Sequence, residues 1–218
     1  MRTLLPTLLL SSLVGCPLSF ATEFRSDFSD GFGLWQKSPS GMWEILNENG
    51  NSIAALTQAG EQPGGVRRPT GFLLLPQFAW SDYTFSLRAK TLEPATIVHR
   101  DVVLIFGYVD ATHFYYVHVS SDSDDKYHNI IMKVDGENRS TIDQQVKPFA
   151  PLTDNWHQIK VTHESSGSIR VFVDDLSTPL MTAEDSTYPA GAIGFGAFDD
   201  RALFDDIVVT GSASTTAP

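Results

Sequence analysis

The chain has one cysteine, Cys16, in 218 residues. No internal disulfide is available, and stability has to come from burial and hydrogen bonding, with an ion as a possible supplement. Positive charge is also scarce: 15 Lys and Arg stand against 26 Asp and Glu, a formal net charge of −11. The cations are scattered rather than striped, which excludes a phosphate-reading surface and with it nucleic acid as a partner. Past the N-terminal leader no segment keeps helical spacing for three turns, so a helical bundle is excluded. Internal repeats and linkers are missing too, and the length fits one domain with a sizeable core.

The leader is what an export signal requires: Met1-Arg2, an apolar run from Leu4 to Val14, then small residues. Cleavage at Ser19-Phe20-Ala21 predicts a signal peptide over 1–21 and a soluble product. Leu13-Val14-Gly15-Cys16 offers the alternative of a lipobox, with a lipid anchor on Cys16 as the only membrane contact. Both predict a secreted or periplasmic protein, with the domain over 22–210 and a frayed Ser/Thr/Ala tail over 211–218.

Within the domain, short apolar stretches of period two recur between Gly, Asn, Asp and Ser clusters, the pattern of an all-β antiparallel sandwich. Tyr83 to Lys90 alternates cleanly, Val102 to Val109 is apolar on both faces, and Trp156 to Thr162 and Ile169 to Val173 alternate again. His157 shares parity with Ile159 and Val161, so a satisfied histidine at the core edge is expected there. His163 is expected to cap the strand end. Of the adjacent Arg67 and Arg68, at most one can face a groove, because neighbours on an extended chain diverge.

Four of the six histidines fall between His99 and Lys133. In His113 to Val119, parity puts Tyr115, Val117 and Val119 on one face and Phe114, Tyr116 and His118 on the other. In the next strand Ile130, Met132 and Val134 form an apolar set, leaving Asn129, Ile131 and Lys133 opposite. If the apolar sets share a core, Tyr116, His118, Asn129 and Lys133 line one open surface, with His99 and Arg100 at its lip and His128 and Arg67 nearby. A phenol, an imidazole, a guanidinium, an amide and an ammonium together could move a proton on an anionic sugar. The alternative is that a wet sheet face simply carries polar residues. The acidic loop Ser120 to Asp125 could hold a cation or be merely solvated.

Asn155 to Val161, Ile169 to Asp174, Gly191 to Gly196 and Phe204 to Ile207 resemble motifs of the concanavalin A-like (laminin G-like) jelly-roll superfamily, near the secreted bacterial 3-keto-disaccharide hydrolase-like domains. The resemblance covers most of 23–210 and implies a two-sheet jelly roll that binds polysaccharide or oligosaccharide. It implies no organic cofactor, and it implies a structural Ca2+ on Asp27 and Asp205, with Asp30 and Asp206 as substitutes. The superfamily's Glu-x-Asp-x-x-Glu glycosidase motif is missing, and Asp174-Asp175, Asp199-Asp200 and Asp205-Asp206 are poor replacements, since adjacent strand residues diverge. The resemblance to uronate lyases implies His118 as base, Tyr116 as acid and Arg100 as neutraliser, with His99, Asn129, Lys133, His128 and Arg67 binding the glycan. A polysaccharide lyase acting by β-elimination is therefore the leading expectation. A non-catalytic carbohydrate-binding module is the first alternative, and a 3-keto-glycoside hydrolase or eliminase with a metal on His99, His118 or His128 is the second.

Overall fold

The computed structural model describes residues 20–62, 64–143 and 149–215; the leader residues up to 19, Cys16 among them, lie outside these. Every regular element among the described residues is a strand. In chain order they are β1 (Phe20–Ser26), β2 (Gln36–Lys37), β3 (Met42–Glu48), β4 (Asn51–Gln58), β5 (Gly71–Thr91), β6 (Asp101–Asp110) and β7 (His113–Ser120). There follow β8 (Ile130–Asp135), β9 (Ser140–Thr141), β10 (His157–His163), β11 (Ser168–Val173), β12 (Met181–Glu184), β13 (Gly191–Ala197) and β14 (Ala202–Thr215). All pairings between them are antiparallel.

The long strand β5 joins two halves. Its first residues, Gly71 to Leu75, pair with β2 and β13, and through β13 with β6, β7, β8 and β9. Its later residues, Phe78 to Thr91, pair with β10 and β14, and so with β11, β12, β1, β4 and β3. Pro76, which cannot donate to a ladder, sits where the chain exchanges one set of partners for the other. Between the halves lies the main core. Phe85, Leu87, Ile159, Val161, Ile169 and Val171 come from one side and Val102, Leu104, Phe106, Tyr115, Val117 and Val119 from the other. Each such side chain contributes about 1.5–3 kcal/mol on burial.

The β5–β13–β6–β7–β8 layer is apolar on its outer face as well. Leu74, Val103, Ile105, Phe114, Tyr116, Ile130, Met132, Val134 and Phe198 form a second cluster there. This corrects the expected orientation of β8. Tyr116 lies opposite Met132, His118 opposite Ile130, and Tyr115 opposite Lys133, and directly opposed residues of an antiparallel pair share a face. Ile130, Met132 and Val134 therefore turn outward with Tyr116 and His118, while Ile131 and Lys133 turn toward the main core.

One boundary also differs from expectation. Residues 211–215, expected to fray, continue β14 against Phe78 to Ser81 of β5, with Ala213 buried between. The cleavage expected after Ala21 falls at the second residue of β1, which pairs with β14 from Phe20 onward.

Candidate functional site

The expected open surface at Tyr116 and His118 is instead roofed. Tyr116 is fully buried, and its phenol accepts a hydrogen bond from Arg139 Nη1 at 3.1 Å. Burial pushes that phenol well up from the ordinary range. His118 is 2% exposed; its Nδ1 faces the Tyr127 carbonyl at 2.6 Å and so carries a proton. His118 Nε2 approaches Asp101 Oδ2 at 2.9 Å without hydrogen-bond alignment. Tyr116 is closed off from a glycosidic oxygen, while His118 borders a pocket with a ring whose Nδ1 is spent on a carbonyl and whose Nε2 faces Asp101.

Three further assignments are corrected with them. Lys133, on the core-facing side of β8, pairs with Asp185 Oδ2 at 2.7 Å and donates to Thr187. Arg100 alternates with Asp101 and points away from His118; its Nη1 donates to the Glu93 carbonyl at 3.1 Å and to Asp154. Asn129, fully buried at φ 57°, is a clasp. Its Oδ1 accepts the Ser120 amide at 2.8 Å, and its Nδ2 reaches Ser120 O, Asp122 O and Ser123 Oγ. The Ser120 to Asp125 loop is thus held by its own donors and acceptors.

Asp27 and Asp205, expected to hold calcium, fall in no group of three metal-capable side chains among the described residues. Asp205 is buried and receives Asn51 Nδ2 at 2.8 Å and Arg88 Nη2 at 3.0 Å, while Asp27 is exposed and bound to Ser29. Of the substitutes, Asp206 borders one surface pocket with Asp27 and is paired with Arg88. Among the described residues, metal-capable side chains converge elsewhere: His99, Asp124 and His128, and Asp101, Asp199 and Asp200.

What the outer face does offer is a pocket of about 340 Å³ lined by Arg67, Asp101, His118, Tyr127, His128, Asn138, Arg139, Phe198 and Asp199. Of the expected binding residues it contains Arg67 and His128, and His99 stacks on His128 at 4.0 Å. The guanidiniums of Arg67 and Arg139 lie 4.8 and 4.2 Å from the Phe198 ring centre, and Arg139 also lies 4.6 Å from that of Tyr127. Arg139 Nε has no partner. Arg68 lines a separate cavity of about 460 Å³ with Lys37, Leu74 and Tyr108, so the two arginines do diverge as expected.

Below the arginines lies an acidic floor. Asp101, 1% exposed, accepts the Phe198 amide at 2.9 Å, and its own amide donates to Asp200 Oδ2 at 2.7 Å. The turn after β13 brings Asp199 and Asp200 onto Asp101, with donor oxygens within 4.8 Å of one another; the expected divergence holds on a strand and fails on this turn. Burial, followed by the Asp101 charge, pushes Asp200 up to about 8, and the same causes raise Asp199.

Sequence reasoning missed Asp101, Tyr127, Asn138, Arg139, Phe198 and Asp199. Asp101 was within reach: it shares parity with Val103 and Ile105 and sits diagonally from His118 on the β6–β7 hairpin. Asn138 and Arg139 lie in the exposed β8–β9 connection, and no periodicity marks them.

No protein-family model matches the chain, and no curated protein matches its sequence. Solved structures do match. A CBM66 carbohydrate-binding module from Bacillus subtilis is 19% identical with a TM-score of 0.60, over 82% of this chain and 96% of that one. Peanut lectin is 14% identical with a TM-score of 0.54, over 91% and 100%. The fold is the concanavalin A-like jelly roll. A further match, a GlcNAcα1-4Gal-releasing endo-β-galactosidase from Clostridium perfringens, is 11% identical with a TM-score of 0.51, over 94% of this chain and 64% of that one. Identities of 11–19% speak to the fold alone.

Proposed function

We propose that this jelly roll is a carbohydrate-binding module that seats a uronic acid residue of a glycan between Arg67 and Arg139. The observation that carries the proposal is the pair of guanidiniums laid on Phe198 in one pocket. Among the described residues the Arg67 side chain has ring packing and no hydrogen bond, so its donor fork is unspent. Guanidinium forks match carboxylates bidentately, and partial desolvation strengthens the contact. Tyr127 supplies a ring edge for the sugar, and Asn138 and His128 can meet hydroxyls. The carbohydrate-binding module and the lectin that share the fold support the class of ligand. Binding is favoured over β-elimination because the phenol assigned to proton transfer is enclosed and the imidazole is held between the Tyr127 carbonyl and Asp101.

Calorimetric titration with matched uronic and neutral oligosaccharides tests this. Saturable heat with a uronic series is expected, and Arg67→Ala and Arg139→Ala should each weaken it about tenfold or more, as lost charge-assisted hydrogen bonds do. Binding only to neutral sugars, or unchanged binding by both variants, would refute the proposal. The same mixtures, followed by the ultraviolet absorbance of unsaturated uronates, should show no product; a rise abolished by His118→Ala would restore the lyase.

One observation favours a second reading, glycoside hydrolysis. A carboxyl whose proton affinity is raised by burial can serve as a general acid, and Asp199, raised in this way, opens onto the pocket. Release of reducing ends that Asp199→Asn abolishes would support it.

A further inference from the structure

We propose that His99, Asp124 and His128 form a binding site for a borderline divalent metal ion of the zinc class. The donor atoms of the three lie within 4.8 Å of one another. Asp124 is already oriented for the task. Its Oδ1 accepts the amides of Lys126 at 2.7 Å and Tyr127 at 2.6 Å, which leaves Oδ2 turned to His128 Nδ1. The two imidazoles face each other, with centres 4.0 Å apart and planes inclined by 9°. Parallel rings direct their lone pairs along parallel lines, so one imidazole has to turn about its Cβ–Cγ bond for both nitrogens to meet a single ion at about 2.0–2.1 Å.

Hydrogen bonding does not explain why His99 is there. Its Nδ1 is buried without a partner, and the nearest carboxylate, Asp122 Oδ2, is 3.9 Å away. Its backbone holds φ at 65°, in the left-handed region that side chains other than glycine enter at a cost. A ring that ends against a second imidazole, with an idle nitrogen and a fixed carboxylate beside it, can offer an ion its donors after a ring rotation. Two imidazole nitrogens and one carboxylate oxygen select zinc-like ions, whereas calcium takes six to eight oxygens. Asp122 or water would complete four-coordination.

The site joins two stretches far apart in sequence, the turn before β6 and the loop between β7 and β8. His128 also lines the pocket, and its ring centre is 5.0 Å from that of His118. An ion here would fix one wall of the pocket. The inference stands on these side chains whether or not the pocket binds uronates.

The test uses untagged protein stripped with a chelator, titrated with ZnCl2 in a calorimeter and with CoCl2 under visible absorption. One ion per chain is expected, with the absorption bands of a low-coordinate cobalt complex and a higher melting temperature at saturating zinc. His99→Asn retains a residue that tolerates the left-handed backbone, and near-ultraviolet circular dichroism checks its fold. That variant and His128→Ala should each weaken zinc binding about tenfold or more. Failure of the folded wild-type protein to take up either ion saturably would overturn the proposal. So would unchanged zinc binding in both variants, or displacement of zinc by equimolar calcium.

Discussion

His163, the last residue of β10, is fully buried among the rings of Tyr83, Phe106 and Tyr115. Burial lowers its pKa to about 4 from the ordinary value of 6.5. The neutral form is the one folded, and the unfolded chain takes up a proton first. Stability from this group is therefore complete above about pH 6.5 and is lost as pH falls toward 4. A shift of that size corresponds to about 3 kcal/mol. Urea midpoints should fall across this window, and His163→Phe should flatten the fall; an unchanged slope would show that another group dominates. Asp200 acts with the opposite sign. Raised to about 8 from 3.8, its protonated form supports the fold at low pH, and that support is lost as pH rises toward 8. Asp200→Asn keeps an acceptor for the Asp101 amide. It should melt higher than the wild type at pH 8, by about 2–4 °C for each kcal/mol recovered, and equally near pH 4. The histidines also mark how far single residues could be read. The core-edge role of His157 follows from parity, and the structure has its two nitrogens on Thr153 and Asp174. His163 was legible as a strand end but not as core, because what encloses it comes from β5, β6 and β7.

At the level of elements, strands and their parities were legible wherever one face was polar, as in β10 and the later part of β5. β8 is the exception, and the cause is physical: its layer is apolar on both faces, so alternation gave no direction, and only pairing with β7 decides it. Inverting that one strand moved Lys133 into the expected site and hid the acidic floor. Lys133→Ala should therefore cost stability, about 1–3 kcal/mol for a part-buried charged partner left exposed to loss, and leave saccharide binding unchanged. A loss of binding with an unchanged melt would return Lys133 to the pocket. The close approach of β13 to β5 yields a second prediction. A Cβ on Gly196 would stand 2.0 Å from Gly71 O and 2.7 Å from Phe72 Cα, backbone atoms that cannot step aside. Gly196→Ala should destabilise by at least about 1–3 kcal/mol, the cost of overpacking, where Gly64→Ala, with open space around it, should not clash at all.

For the whole molecule, the jelly roll was legible from strand spacing and the absence of helical runs, but the pocket was not, since its walls come from segments 67, 101, 118–128, 138–139 and 198–199, which only folding brings together. Total charge and local charge also conflict. A net charge of −11 repels a polyanion at long range, while Arg67 and Arg139 attract a carboxylate at contact. Salt separates the two, because charges further apart than a Debye length, about 8 Å at physiological ionic strength, are screened first. A uronic trisaccharide confined to the pocket meets the arginines at contact, with the Asp101 and Asp199 carboxylates beneath them, and where the arginines dominate its affinity should fall as NaCl is raised. A long polymer of the same sugar also runs across acidic surface, so screening relieves repulsion as well as attraction, and its affinity per site should fall less or even rise. Titrating both ligands at low and high salt measures the difference directly. Equal slopes for the short and long ligands would mean that the acidic surface lies away from the glycan's path, and salt-independent binding of both would remove the carboxylate from the recognition altogether.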